Sequence, residues 1–285
     1  MNKKLDLFKN VSLWPVVIYS FVLILLPLLY ILFLSFCETD YVGGINYHFS
    51  IVNYLTIIDS TYLLIFAKSA LIGIITTLIC LVIAYPFAIF LMDKKEEVRN
   101  ALIKLVMIPF LTNSLIRTYG WIVLLRKNGI INNGLTSLNI IKEPLSLMYN
   151  NIGIIIGMVY TLLPFMILPV YAAVNKLDPN LIKAAKDLGA NKFHVFKDII
   201  FKETISGAFN GSLMVFIPAI GYFFISDILG GGKQMIIGNL IKDQFLTARN
   251  WPFGSAISIF LIIVTFLLVR VYKKIGGNID ELGGM

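Results

Sequence analysis

Residues 10–37 of this chain carry no charged side chain. A helix needs about 20 apolar residues to cross about 30 Å of hydrocarbon, so this run is long enough to span a bilayer. Five further stretches are similarly apolar: 69–92, 102–125 (with Arg117 towards its far end), 152–175, 204–226 and 252–269. Charged residues make up 14% of the 285 residues, against about a quarter in an average soluble domain. The charges cluster between the apolar runs. This pattern predicts an all-α polytopic membrane protein with six transmembrane helices.

The net charge is +8, and its placement is more informative than its size. Lys3, Lys4 and Lys9 precede the first span. Lys94, Lys95, Arg99 and Lys104 lie between the second and third. Lys176, Lys183, Lys186, Lys192, Lys197 and Lys202 lie between the fourth and fifth, and Arg270, Lys273 and Lys274 follow the sixth. The opposite side holds half as many: Lys68, Arg117, Arg126, Lys127, Lys142, Lys233, Lys242 and Arg249. The positive-inside rule therefore puts both termini in the cytoplasm. Nucleic acid is not an expected partner, whereas membrane lipid is. The first apolar run is too long for the hydrophobic region of a signal peptide and has no small-residue cleavage site. Ser35-Phe36-Cys37 is a poor lipidation box because Phe36 is bulky. The run reads as a retained first helix.

Cys37, Cys80, His48 and His194 lack metal-ligand spacing, and no metal site is expected. Pro27, Pro86, Pro109, Pro164, Pro169 and Pro218 fall within the spans, where neighbouring groups can satisfy the freed carbonyls. Such prolines fit a cavity-lining bundle that changes shape, and equally fit kinks that only set packing. The outer loops 38–62, 126–151 and 227–251 have room for short surface helices. Gly230-Gly231-Gly232 reads as a flexible turn, not a phosphate loop, since no Gly-Lys-Ser/Thr follows. No repeat of fixed period is visible.

The inner segment 175–203 is amphipathic. Asp178 suits a helix cap and Pro179 a first turn. Leu181, Ala184, Ala185 and Leu188 follow at helical spacing on one face, with Lys183, Lys186 and Asp187 mostly on another. Gly189 can take a left-handed cap. A second short helix from about Lys192 would present Phe193, Phe196, Ile199 and Ile200. Two short helices joined at a glycine form an elbow. Spacing alone does not separate a docking elbow from an amphipathic helix lying on lipid.

Within this segment the chain resembles the permease subunits of ATP-binding-cassette importers. Their signature reads Glu-Ala-Ala, three residues, Gly, nine residues, Ile, one residue, Leu-Pro. Ala184-Ala185, Gly189 and Ile199 stand at those spacings, while Lys183, Phe201 and Lys202 replace the Glu, Leu and Pro. From 62 to 271 the chain is similar to the spermidine/putrescine permease branch. The resemblance rests on Pro109-Phe-Leu-Thr-Asn-Ser-Leu-Ile-Arg-Thr-Tyr-Gly120, Gly157-Met-Val-Tyr-Thr-Leu-Leu-Pro-Phe-Met166 and Leu177-Asp-Pro179. It continues through Ser226-Asp-Ile-Leu-Gly-Gly231, Ile237-Gly-Asn-Leu-Ile241 and Trp251-Pro-Phe-Gly254.

The resemblance implies a type I importer (MetI-like) permease fold. It divides the chain into a first transmembrane helix and outer loop (1–64), a permease domain with a coupling loop at 176–203 (65–272) and a cytoplasmic tail (273–285). It implies as partners a second homologous permease, a cytoplasmic ATPase dimer and an extracytoplasmic polyamine-binding protein. Its candidate ATPase-coupling residues are Lys183, Ala184, Ala185, Asp187, Leu188, Gly189, Phe193, Phe196 and Ile199. The chain has no Gly-x-x-x-x-Gly-Lys-Ser/Thr loop, so it is expected not to be an enzyme and to bind no cofactor. ATP and Mg²⁺ would belong to the partner.

A polyamine path needs carboxylates, aromatic faces or carbonyls. Asp227, Tyr222, Phe223, Phe224 and Tyr160 are the candidates. Packing aromatics and a surface-turn cap explain the same residues structurally. Arg117 sits about 20 Å along its span at ~1.5 Å per residue. It fits either snorkelling to the outer interface or contact with a partner protein. Within the importer class the runner-up cargo is an opine-like or other organic cation, or ferric iron. A stand-alone secondary transporter would need coupling residues or inverted repeats, and neither is visible. A membrane enzyme would need a His, Cys or paired-carboxylate cluster at membrane depth, which the sequence lacks.

Overall fold

The computed structural model describes residues 14–15, 17–40 and 44–274. Lys3, Lys4 and Lys9 lie outside the described residues, as do residues 275–285 of the expected tail. In chain order the helices are α1 (Val17–Leu34), α2 (Val52–Ile57), α3 (Ser60–Met92), α4 (Glu96–Leu111) and α5 (Ser114–Leu125). Then come α6 (Ile130–Ser137), α7 (Asn151–Asn175), α8 (Pro179–Asp187), α9 (Lys192–Glu203) and α10 (Ile205–Gly221). The last three are α11 (Phe223–Gly230), α12 (Ile237–Leu246) and α13 (Trp251–Lys274). Residues Glu38–Thr39 and Ile45–Asn46 form one small antiparallel pair.

Four of these helices, α1, α3, α7 and α13, are long and apolar enough to cross a membrane unbroken. Two bent pairs, α4 with Ser114–Ser137 and α9 with α10, bring the number to six if each pair is one span. The expected third span is therefore not a straight helix over 102–125. It turns by 93° between Leu111 and Ser114. Thr112 donates its hydroxyl and its N–H to the Pro109 carbonyl, at 2.7 and 3.2 Å. The Asn113 side chain accepts the Leu115 N–H at 2.8 Å and starts a new helix. An apolar run satisfies the hydropathy requirement whether or not it is one helix. Here uncharged polar side chains satisfy the broken ends, which makes the turn tolerable.

Two other boundaries also differ from the sequence expectation. α3 starts nine residues earlier than the apolar run because Asp59 accepts the Thr61 N–H at 2.9 Å and caps it outside the hydrophobic stretch. The fifth span does not continue from 204 to 226. It stops at Tyr222, whose backbone (φ −74°, ψ 66°) leaves the helical region, and Asp227 belongs to the separate helix α11. The outer loops do carry short helices: α2, α6 and α12.

Contacts divide the chain into two compact units. One takes the chain to Leu63 with Leu240–Val264; the other takes Leu64–Asn239 with the chain from Thr265. In the first, Asn53 Nδ2 donates to the Ser35 and Cys37 carbonyls at 3.2 and 2.7 Å, tying α2 to the end of α1. Tyr62 and Phe253 meet edge to face at 4.9 Å. The α1 span is almost wholly exposed, with 6% of its residues buried, as suits a helix against lipid or another protein.

The second unit is built around α7, half of whose span is buried. Met158, Leu162, Met166, Val170 and Val174 repeat at four-residue spacing and are all fully buried. Lipid is as apolar as these side chains, so tight packing must hold the helices together. Gly207 and Gly211 of α10 supply it. A Cβ on Gly207 would lie 2.6 Å from the Pro169 carbonyl oxygen, and one on Gly211 would lie 2.6 Å from Met166 Sδ and 3.2 Å from its backbone. The two glycines sit four apart, the small-xxx-small spacing of closely approaching membrane helices.

Gly207→Val should separate α10 from α7 and destabilise the detergent-solubilised protein by about 1–3 kcal/mol, the ordinary range for overpacking. Thermal unfolding followed by circular dichroism measures it. An unshifted midpoint would mean that the close approach does not hold the pair.

Candidate functional site

The elbow lies between α7 and α10. Asp178 accepts the Asn180 N–H at 2.9 Å and caps α8, and Pro179 occupies its first position. Such a cap contributes about 1 kcal/mol. The helix ends as the residues demand. Gly189 has φ +84°, which only glycine adopts without strain. The Gly189 and Ala190 N–H groups donate to the Lys186 and Ala185 carbonyls at 2.9 and 3.0 Å, closing the last turn. Asn191 then accepts the His194 N–H at 2.9 Å and starts α9. This helix carries one widened turn over Val195–Ile200, a form common at functional positions.

The apolar face of α8 differs from the sequence expectation. Leu181, Ala184, Ala185 and Leu188 do not act as one face. Ile182 and Ala185 turn in against the core, while Leu181, Ala184 and Leu188 turn out. Leu188 is 89% exposed and Phe193 66% exposed. Lys183 and Asp187 are exposed beside them. Phe196 turns inward instead, beside the buried Val195 and Ile200, while Ile199 is half-buried. The candidate coupling residues thus separate into an exposed surface (Lys183, Ala184, Asp187, Leu188, Phe193) and a packed anchor (Ala185, Phe196), with Gly189 at the turn between the helices and Ile199 half-buried. The elbow thus leaves a leucine and a phenylalanine exposed among polar side chains.

Tyr85 of α3 holds the anchor, and the sequence reading did not single it out. Its ring meets Phe196 edge to face at 5.4 Å and Phe201 at 5.8 Å, and Phe196 lies 6.2 Å from Phe201. Its hydroxyl lies 3.1 Å from the Thr204 hydroxyl. Thr204 gives its own proton to the Ile200 carbonyl at 2.6 Å, so Tyr85 is the donor between them. This buried pair sits at the 71° turn from α9 into α10. The ring of Phe201, where the importer signature has leucine, completes the aromatic cluster. Lys202, in place of the proline, pairs with Asp198 at 3.2 Å on the exposed side. An open cleft of about 860 Å³ runs beside this anchor, between Leu81, Ile89 and Phe90 of α3 and Ile182, Lys186 and Val195 of the elbow.

The candidate path residues lie at the other end of α10. Tyr222 marks the break, and its ring packs 5.2 Å from Phe224, which meets Phe223 edge to face at 6.2 Å. Asp227 is half-buried and accepts the Asn239 amide at 2.6 Å. The same amide donates to the Phe223 carbonyl at 3.2 Å, and Asn239 Oδ1 accepts the Ile236 N–H at 3.1 Å. Asn239 thus ties α12 to α11; its only sequence signal was its place in the Ile237–Ile241 block. Tyr160 lies apart from Asp227 in the contacts it makes. It packs edge to face with Trp121 at 5.3 Å, and the Arg117 guanidinium carbon sits 5.7 Å from its ring centre.

Comparison with known proteins gives this geometry its context. The family described as "Binding-protein-dependent transport system inner membrane component" matches residues 7–279. The chain belongs to this family. It is a multi-pass transport subunit of the bacterial inner membrane. It is 42% identical over 272 residues to the spermidine/putrescine transport system permease protein PotB of Salmonella typhimurium (strain LT2), covering 95% of each chain. It is 43% identical over 251 residues to PotB of Escherichia coli (strain K12), covering 88% of this chain and 91% of that one. Among solved structures, a chain of the bacterial alginate ABC transporter with its alginate-bound periplasmic protein superposes with a TM-score of 0.75. That match covers 94% of this chain and 93% of the other at 14% identity. The methionine importer MetNI gives a TM-score of 0.54 over 76% of this chain at the same identity. The fold is the MetI-like fold of importer permeases.

Tyr85→Phe removes the phenol that donates to Thr204 while keeping the aromatic cluster. It should cost about 1 kcal/mol of stability, the net value of one hydrogen bond. Limited proteolysis at the elbow should accelerate in the same variant, and an unchanged cleavage rate would show that the bond does not hold the turn.

Proposed function

We propose that this chain is a permease subunit of an ATP-driven importer that carries spermidine and putrescine inward across the cytoplasmic membrane. The near end-to-end similarity to spermidine/putrescine permeases, at 42–43% identity, carries this reading. Both termini lie in the cytoplasm, and so does the elbow. A second homologous permease completes the path, and an extracytoplasmic polyamine-binding protein delivers the cargo. A cytoplasmic ATPase dimer binds ATP and Mg²⁺.

In this reading the exposed surface of Leu181, Ala184, Leu188 and Phe193 seats in the ATPase. Closure of the ATPase pair moves the elbow about its glycine hinge. The Tyr85, Phe196 and Phe201 cluster passes the displacement to α3, and Thr204 passes it to α10. At the far end of α10, the break at Tyr222 shifts the aromatic group and Asp227. Hydrolysis resets the arrangement. The path binds its cation weakly, because it offers one carboxylate and several ring faces, and selectivity rests with the binding protein.

Uptake of labelled spermidine by proteoliposomes holding the assembled complex tests the substrate. ATP-dependent accumulation that excess putrescine suppresses supports the reading. Transport of another organic cation or of ferric iron instead, with none of spermidine, would replace it. Leu188→Asp puts a charge on the docking surface. It should lower uptake at least about tenfold and release the ATPase in pull-downs, since removing one interface anchor costs about 1.4 kcal/mol or more. Full uptake with the complex intact would show that the elbow does not couple.

A further inference from the structure

Arg117 sits in a poor place for a cation. It lies in the first turn of α5, whose N-terminal end is the positive end of the helix dipole. Its Nε is buried without a hydrogen-bond partner, and no carboxylate pairs with it among the described residues. Two rings hold it instead. Its guanidinium carbon is 5.7 Å from the centre of Phe110 and 5.7 Å from the centre of Tyr160. Those rings are themselves fixed, Phe110 edge to face on Phe165 at 5.1 Å and Tyr160 on Trp121 at 5.3 Å. Two fixed π faces converging on one point form a receptor for a single organic cation.

We propose that Phe110 and Tyr160 form a cation-receiving site on the transport path, and that Arg117 is its tethered occupant when no substrate is present. An arriving alkylammonium group takes the place of the guanidinium between the rings. Arg117 then swings away, driven by repulsion between like charges. The residue keeps the rings apart and the site filled between cycles. It also sets a threshold, because only a cation that competes with a guanidinium for π faces can enter. The proposal rests on the polyamine reading for the identity of the cation but not for the existence of the site.

Two measurements separate those dependencies. Trp121 touches Tyr160 and reports on the cage. Replacing Trp14 and Trp251 by Phe leaves it as the sole tryptophan of the three in the chain. In this background tetramethylammonium and spermidine are titrated against Trp121 fluorescence, with sodium chloride as the ionic-strength control. Arg117→Gln empties the cage and should tighten saturable binding of both cations at least about threefold, since even one exposed cation–π contact is worth that much. Arg117→Lys should tighten it less. Adding Tyr160→Leu to Arg117→Gln should abolish the gain. In the assembled complex Arg117→Gln should lower the KM for spermidine uptake by the same factor.

A titration unchanged by Arg117→Gln, or a gain that survives Tyr160→Leu, would overturn the proposal. So would loss of uptake in Arg117→Gln that Arg117→Lys restores with no change in the titration; that result would make Arg117 a contact to a partner subunit. Tighter tetramethylammonium binding in Arg117→Gln, beside a wild-type complex that takes up no polyamine, would keep the cation site and defeat only the polyamine reading.

Discussion

The close approach of α10 to α7 is the constraint on which the second unit depends. A helix pair in lipid gains little from burying leucine, because the surrounding hydrocarbon is just as apolar. It gains from backbone contact at short range, and Gly207 and Gly211 permit that contact on Pro169 and Met166. α10 then has a fixed position at both ends. Its first end leaves the elbow at Thr204, and its last end breaks at Tyr222. The candidate coupling surface and the candidate path residues are thus the two ends of one packed helix.

The same region shows how a chain turns sharply without charge. Each break supplies its own polar side chain. Thr112 and Asn113 satisfy the turn into α5, Thr204 and Tyr85 the turn into α10, and Asn239 the group around α11. None of these groups is ionised, so none carries the desolvation penalty of a charge in a low-dielectric setting. This is a different solution from proline kinking. Pro86, Pro164, Pro169 and Pro218 lie inside continuous helices. Among the helix pairs apolar enough to be one span, bends above 40° fall at Leu111–Ser114 and Glu203–Ile205.

The elbow explains two of its departures from the importer signature in physical terms. Phe201 fills the aromatic cluster under Tyr85, a space that a ring occupies better than a leucine would. Lys202 pairs with Asp198 one turn back on the exposed side. Lys183, where the signature has glutamate, is exposed. The opposite end of α10 meets a different demand. There the candidate path residues Tyr222, Phe223 and Phe224 pack ring on ring beside Asp227, whose carboxylate the Asn239 amide holds.

Much of this protein was set by the sequence alone. Uncharged runs of sufficient length require membrane spans, since only a backbone satisfied within itself is stable in hydrocarbon. Asp178, Pro179 and Gly189 determine the elbow locally, because cap, first turn and left-handed stop are properties of those residue types. Their spacing carried the family resemblance as well. The tertiary structure decided what depends on neighbours distant in the chain. Hydropathy treats 102–125 as one run, and only the capping at Asn113 shows it to be two helices. Periodicity grouped Leu181, Ala184, Ala185 and Leu188, but the position of the core selected Ile182 and Ala185 to face inward. Arg117 read as an interfacial or partner-facing charge, and only the folded chain brings Phe110 and Tyr160 to either side of it. Local residue chemistry fixes caps and spans; which side chains meet across the bundle is fixed by packing, and packing has no signature in a single stretch of sequence.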